Sequence, residues 1–522
     1  MNFNSFNRGL ALSVAALALT AGASVAAERS SIFGGGSTLS EKVDRQVMDC
    51  LGTPIAGEAN VASCTTPSHD GFEYYYAGIG SGTGLSSLLA EAAQAHSLDG
   101  GITSTDANQT TYPYPHWDLS GSDAPLDSLP TPTSALMYLD QYNASATKTN
   151  RGAVWQFPIG ATSMTIPVNS GSSTVSGQAY LTLPASASGV PNAVQLDMNQ
   201  LCYIWTGYDA KGVKVTGAYD WTNPLLQLGV TKGKSAKVID NPAYTKYFVN
   251  GGSTTMPIFP VHRSDGSGST FILTSFLKAN CKGYATAGYG TPTNSALVFP
   301  ANNPGGVAYS TSNGNLVSGS SAMTAAVNAN LGAVGYVTPD QVQPINATGP
   351  IAAQIATLQS KAPSFAYVYP TSANVNLAVA ATTPPVANKK PTDWGAKLNA
   401  KYFKKANNST GYPITSLTWL MGYQCYVNDT TSGNVATAIT NFASFLWATD
   451  ASNGNAPTQA DNIITANGLV PLPDTYKTSI LGTIVTGSTK FAITPVVTTY
   501  SDKKGNGGPK ACTGWNTDTN RL

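Results

Sequence analysis

The stretch Ile258-Phe259-Pro260-Val261-His262-Arg263-Ser264-Asp265-Gly266-Ser267-Gly268-Ser269-Thr270-Phe271-Ile272-Leu273 passes from an apolar segment through a glycine-serine loop into a helical pattern. Ile258 to Arg263 reads as a strand, and the run through Phe271, Leu273, Phe276 and Leu277 reads as a helix. The same grammar occurs earlier. Phe72 to Ile79 reads as a strand that ends in Gly78-Ile79-Gly80-Ser81-Gly82-Thr83-Gly84, and Leu85, Leu88, Leu89, Ala92 and Ala93 follow at helical spacing. A related stretch, Gly34-Gly35-Gly36-Ser37-Thr38-Leu39, lies nearer the start. Strand, glycine loop and helix used in this way predict α/β architecture. In open α/β sheets ligands sit beyond the carboxyl ends of the strands, where these loops fall.

Glycine lets a backbone come close to a ligand, and free N–H groups at a helix start favour an anion. Three such ends meeting at one point would cage a small oxyanion. Arg263 would offer its fork of donors to a tetrahedral anion, although it could equally pair with Asp265. Ser81, Ser267 and Ser269 would add hydroxyls, or could serve simply as helix caps. Asp123, within Gly121-Ser122-Asp123-Ala124-Pro125, is a candidate selector, with an Asx-turn before Pro125 as the alternative. An ionised carboxylate only accepts hydrogen bonds. Aimed at the anion, it would favour phosphate, which still carries a proton near neutral pH, over sulfate, which does not.

Bulk properties narrow the function classes. The chain has 522 residues, enough for two lobes or domains. Its 28 Lys plus Arg balance 27 Asp plus Glu, which argues against a nucleic-acid partner. Arg8, the apolar run Leu10 to Leu19 and Val25-Ala26-Ala27 read as an export signal over residues 1–27, cleaved before Glu28. No later apolar run reaches the roughly 18 residues of a membrane span. Six cysteines in an exported chain suggest three disulfides, expected as Cys50–Cys64, Cys202–Cys281 and Cys425–Cys512 among fifteen possible pairings.

Catalytic patterns are weak. Gly233-Lys234-Ser235 imitates the end of a phosphate-binding P-loop, but Leu228 stands where its glycine is needed. There is no G-x-S-x-G elbow, and His69, His96, His116 and His262 have no metal-ligand spacing. His262 is expected to be structural, because strand neighbours point to opposite faces. No catalytic residue, metal or cofactor is expected. Further strands are expected at Ala153–Phe157, Ser163–Val168, Ala333–Val337 and Leu417–Tyr423, with surface insertions at 168–192, 284–320 and 371–391.

Taken in order, the segments GGGSTL, YYAGIGSGTG, SGSDAPL and PVHRSDGSGSTFILTSFL resemble the periplasmic phosphate-binding protein of the bacterial phosphate ABC transporter, including its DING-type relatives. Weaker echoes are FPIGATSMTIPVN, QLDMNQLCYIWTG, LGAVGYVTPD, DWGAKL and TGYPITSLTWL, so the likeness runs from about Gly34 to Leu472. The resemblance implies a two-lobe, class II periplasmic-binding-protein fold that closes about a hinge on inorganic phosphate. By matching position, Thr38, Leu39, Ser81 and Asp123 would face the ligand from one lobe, and Arg263, Ser267, Gly268 and Ser269 from the other. Ser269 stands where the family usually has Thr, and Ser40 where it often has Pro.

Lobe 1 is expected over 28–160 and 412–485 and lobe 2 over 161–411, with crossings near Ile159 and Tyr412 and a tail at 486–522 packed on lobe 1. The implied role is a periplasmic receptor that hands phosphate to an inner-membrane ABC permease. The alternatives are a secreted or cell-surface phosphate scavenger without a permease and, more remotely, an exported phosphatase.

Overall fold

The computed structural model describes residues 31–53, 64–68, 70–90, 94–97, 111–114, 117–126, 138–145, 147, 151–172, 179–181, 183, 192–226, 248–249, 255–290, 299–343, 348–358, 366–386, 393–395, 411–427, 434–454, 456–485 and 492–496. The expected export signal, Gly233-Lys234-Ser235, His69, His116, Cys512 and most of the tail lie outside the described residues.

Strand β1 (Ser31–Gly36) is followed by helix α1 (Glu41–Leu51), and β2 (Glu73–Ala77) by α2 (Ser81–Ala90). With β3 (Leu119–Ser122), β4 (Val154–Ser163) and the late strand β11 (Thr415–Tyr423) they form a five-stranded sheet of order β2-β1-β3-β11-β4. β1 runs parallel to β2 and β3, whereas β11 is antiparallel to β3 and β4. Every residue of β1 and β4 is buried, the mark of strands covered on both faces. Helix α2 is held close to β1 because Gly84 has no side chain: a Cβ there would lie 2.5 Å from the Gly36 Cα. Gly36 itself adopts a φ of +135°, and a Cβ on it would stand 2.1 Å from the Gly121 carbonyl oxygen.

A second sheet joins β6 (Phe259–Pro260), β9 (Ala333–Val334), β5 (Pro167–Val168) and β10 (Ile351–Ala352) in that order. Helix α3 (Met198–Thr206) opens with a capping box between Asp197 and Gln200. The expected single strand Ile258–Arg263 is divided. β6 pairs with β9, while β7 (His262–Arg263) pairs in parallel with β8 (Leu316–Val317). The chain thus changes partner at Val261, which donates to the Val334 carbonyl at 2.8 Å before His262 donates to Asn315 at 2.9 Å.

Helix α4 (Gly268–Asn280) follows, buried along most of its length. Strand Ala153–Phe157 extends to Ser163, so the expected strand Ser163–Val168 is reduced to β5 at its end. The 284–320 insertion is largely exposed between 301 and 314, yet it supplies β8 and covers His262. Phe299 stacks on the imidazole at 3.9 Å, and Tyr309 meets it edge-on at 4.6 Å. Burial lowers the His262 pKa to about 3, so the ring is neutral and structural.

Cys50–Cys64 and Cys202–Cys281 are bonded as expected. Cys425 is also disulfide-bonded, and its expected partner lies outside the described residues. Beside it, Cys425–Val427 pairs in parallel with Thr494–Val496 of the tail. Among the described residues no helix is long and apolar enough to cross a membrane.

Candidate functional site

The carboxyl ends of β1, β2 and β3 lie side by side, so the residues just beyond them are neighbours despite their separation in sequence. Asp123 follows β3 and is almost fully buried, at 2% exposure. Its Oδ1 accepts from Ser37 Oγ, beyond β1, at 2.7 Å and from Thr418 Oγ1, on β11, at 3.1 Å. Its Oδ2 accepts a longer bond from Ser81 Oγ, the first residue of α2, at 3.4 Å, while the Asp123 N–H donates to the same hydroxyl at 3.3 Å.

The third glycine loop reaches this carboxylate from the other side. A Cβ placed on Gly268 would stand 1.8 Å from Asp123 Oδ2, and one on Gly80 would lie 3.4 Å from the Gly266 carbonyl oxygen. Backbone from the loop before α4 therefore lies directly against the groups at the ends of β2 and β3. Ser267 caps α4 by accepting from the Thr270 N–H at 3.3 Å, and Ser267, Gly268 and Ser269 are all buried.

Arg263 is buried at the end of β7 and forks onto Asp265: Nε donates to Oδ1 at 2.7 Å and Nη2 pairs with Oδ2. Its remaining nitrogen, Nη1, donates to Ser320 Oγ at 3.1 Å. Asp265 Oδ1 also accepts from the Gly319 N–H at 3.1 Å, at the start of helix α5 (Ser320–Ala329). The salt bridge considered from sequence is thus present, and it fixes the plane of the guanidinium. Tyr336 binds the strand to the helix. Its hydroxyl accepts from the Arg263 N–H at 2.9 Å and shares a hydrogen bond with Thr270 Oγ1 at 2.9 Å.

Burial pushes the Asp123 pKa up, while the Ser37, Thr418 and Ser81 hydroxyls and the Arg263 charge oppose that rise. Burial also disfavours ionised Asp265, but Arg263 and the Gly319 N–H hold its carboxyl below the usual range. A second buried acid, Asp44 of α1, lies behind the first loop, where Ser40 Oγ donates to its Oδ2 at 2.8 Å. Burial, opposed by hydrogen bonds from Ser40 and Tyr76 and aided by the Asp123 charge, raises Asp44 to about 7.

Of the residues singled out from sequence, Ser81, Asp123 and Gly268 are in direct contact, with Ser267 and Ser269 flanking Gly268 and Arg263 acting on Asp123 through its charge. Thr38 is exposed, and Leu39 is half-buried with its N–H donated to Ser37 Oγ at 3.1 Å, so that donor is used within its own loop. Sequence reading passed over Ser37, Thr418 and Tyr336. The first sat unremarked inside a motif already quoted. The other two lie in LGAVGYVTPD and TGYPITSLTWL, segments quoted only as weaker echoes: Thr418 is on β11 and Tyr336 stands two residues beyond β9.

A buried acceptor, aligned hydroxyls, glycine backbone and an oriented guanidinium can enclose a small protonated oxyanion. Among the described residues no group of three His, Cys, Asp or Glu side chains could hold a metal ion.

No family model matches the chain. A protein named Phosphate-binding protein, from an unknown prokaryotic organism, is 27% identical over 432 residues, covering 80% of this chain and 90% of that protein. Alkaline phosphatase L of Pseudomonas aeruginosa (strain UCBPP-PA14) is 26% identical over 427 residues, covering 80% of this chain and 84% of its own. The solved structure of an ancestral soluble variant of the Human Phosphate Binding Protein superposes with a TM-score of 0.53 at 25% identity, covering 89% of this chain and 96% of that one. A DING protein structure gives a TM-score of 0.53 at 24% identity, covering 88% and 96%. The fold is therefore the two-lobe class II arrangement of periplasmic phosphate-binding proteins, and the resemblance to that family spans most of the chain.

Proposed function

We propose that this chain is an exported receptor that captures inorganic phosphate between its two lobes and delivers it to an inner-membrane ABC permease. The observation that carries the reading is the buried Asp123 carboxylate, which faces Gly268 of the third loop and is surrounded by hydroxyl donors. A fixed acceptor at the centre of an otherwise donor-rich site suits an anion that brings its own proton. Arg263, oriented by Asp265, supplies the compensating charge. Ser81, Asp123, Arg263, Ser267, Gly268 and Ser269 form the proposed ligand set with Thr38 of the first loop, whereas the Leu39 N–H expected to join them is committed to Ser37 Oγ. Residues 28–160 with 412–485 and residues 161–411 are the proposed lobes. Strands drawn from 31–163 and 415–423 for one sheet and from 167–352 for the other support that division.

Titration calorimetry should show phosphate binding that excess sulfate does not displace. Asp123→Asn should narrow the gap between the two ions, because an amide can donate to sulfate; an unchanged ratio removes this account of selectivity.

The name of the Pseudomonas relatives favours a second reading, phosphoester hydrolysis. The likeness to solved phosphate-binding proteins supports a non-enzymatic role instead. Incubation with a chromogenic phosphoester separates the two: turnover lost on Ser81→Ala would establish the enzyme.

A further inference from the structure

We propose that Ser37 and Thr418 determine the ion selectivity of this site by committing Asp123 Oδ1 to the protein's own hydroxyls, so that only Oδ2 is left to accept the proton of the bound anion. The inference rests on the phosphate-binding reading and extends it to two residues outside the proposed ligand set.

The direction of each hydrogen bond carries the argument. Ser37 Oγ accepts from the Leu39 N–H at 3.1 Å and from the Ser40 N–H at 3.4 Å. Its lone pairs are thereby used, and its single proton points to Asp123 Oδ1 at 2.7 Å. The relay runs one way, from backbone amides beside the start of α1, through a hydroxyl, to the carboxylate. Thr418 Oγ1 donates to the same oxygen at 3.1 Å.

Ser37 and Thr418 are both fully buried. Two donors on Oδ1 favour the ionised carboxylate and exclude a carboxyl proton from that oxygen. Oδ2 differs. Among the described residues it holds only the 3.4 Å contact with Ser81, and it faces the backbone of Gly268 on the other loop. The acceptor is thus presented toward the place where the loops converge.

Three other titratable groups act on or feel the Asp123 charge. Arg263 at the end of β7 favours its ionised form, whereas Asp44 of α1 and Tyr76 of β2 interact with it unfavourably when ionised. Hydroxyl donation to Oδ1 therefore decides whether the acid stays an obligate acceptor. Without it the carboxyl takes up a proton nearer neutral pH and becomes able to donate to sulfate.

The test is calorimetric competition between phosphate and sulfate from pH 5.5 to 8.5, using the full chain. The Ser37→Ala/Thr418→Val double variant is expected to narrow the phosphate-to-sulfate affinity ratio by about tenfold or more, the scale of a lost hydrogen bond to a charged group. The narrowing is expected to be greatest at the acid end. Ser37→Thr and Thr418→Ser, which keep the hydroxyls, are expected to hold the ratio near that of the unaltered chain.

A merely structural role would weaken both ions alike and leave the pH profile unmoved; that result overturns the inference. If the double variant does not fold, Ser37→Ala and Thr418→Val are read singly, and an unchanged ratio in both likewise overturns it. Failure of the unaltered protein to bind phosphate overturns the underlying reading as well, so the two failures are distinct.

Discussion

Gly268 presses so closely on Asp123 that a single methyl group could not stand between them: its carbon would lie 1.8 Å from Oδ2 and 2.4 Å from the Asp123 Cβ. Gly268 opens α4, while Asp123 directly follows β3 on another loop. Glycine is required here for close approach rather than for an unusual backbone angle. Gly268→Ala should weaken phosphate binding by at least about tenfold, because the carboxylate must move out of place. Alanine is by itself favoured in helices by up to about 1 kcal/mol, so thermal stability without ligand should hold or fall far less than affinity. Calorimetry and a melting curve on one sample check both halves.

Tyr336→Phe should act on both stability and binding. The variant leaves the buried Arg263 N–H without its acceptor and removes the partner of Thr270 Oγ1. An unsatisfied buried donor destabilises by about 1–3 kcal/mol, which urea unfolding should report. Phosphate affinity should fall too, because the tyrosine ties the strand bearing Arg263 to the first turn of α4.

Asp44 should make stability depend on pH in a stated direction. Its ordinary value is 3.8 and burial raises it to about 7 in the folded chain. Between those values the folded protein holds a proton that the unfolded chain releases, so the Asp44 contribution is full below about pH 4 and is lost as pH rises to about 7. His262 works oppositely: lowered to about 3, it takes stability away as pH falls below its ordinary 6.5. Asp44→Asn should therefore gain melting temperature over the unaltered chain, and the gain should grow from pH 5 to pH 8. A constant difference across that range would refute the assignment.

The Cys202–Cys281 bond should support the fold and leave the ligand site nearly untouched. It joins α3 to the residue that ends α4 and spans 79 residues of sequence. Removing it by Cys202→Ala/Cys281→Ala should lower stability by about 2–5 kcal/mol. The bond lies at the far end of a 13-residue helix, about 20 Å from Gly268 at 1.5 Å per residue. Phosphate affinity in the folded variant should accordingly change less than about threefold.

Much of this was legible without coordinates. Glycine loops after apolar segments marked where strands end and helices begin, since those residues encode local backbone geometry within a few positions. Cys50–Cys64 and Cys202–Cys281 were likewise paired as expected. The strand through Ile258–Arg263 was less readable. Its division depends on which neighbours its two halves meet, and Ala333 and Leu316 are far away in sequence.

Local pattern thus determined the α/β architecture, the glycine loops at the strand ends and the presence of Asp123 and Arg263 among the candidates, because each is written in consecutive residues. Tertiary structure alone decided which oxygen of Asp123 is occupied and by whom. Thr418 reaches it from 295 positions away, and hydrogen-bond direction is set by neighbours in space rather than along the chain.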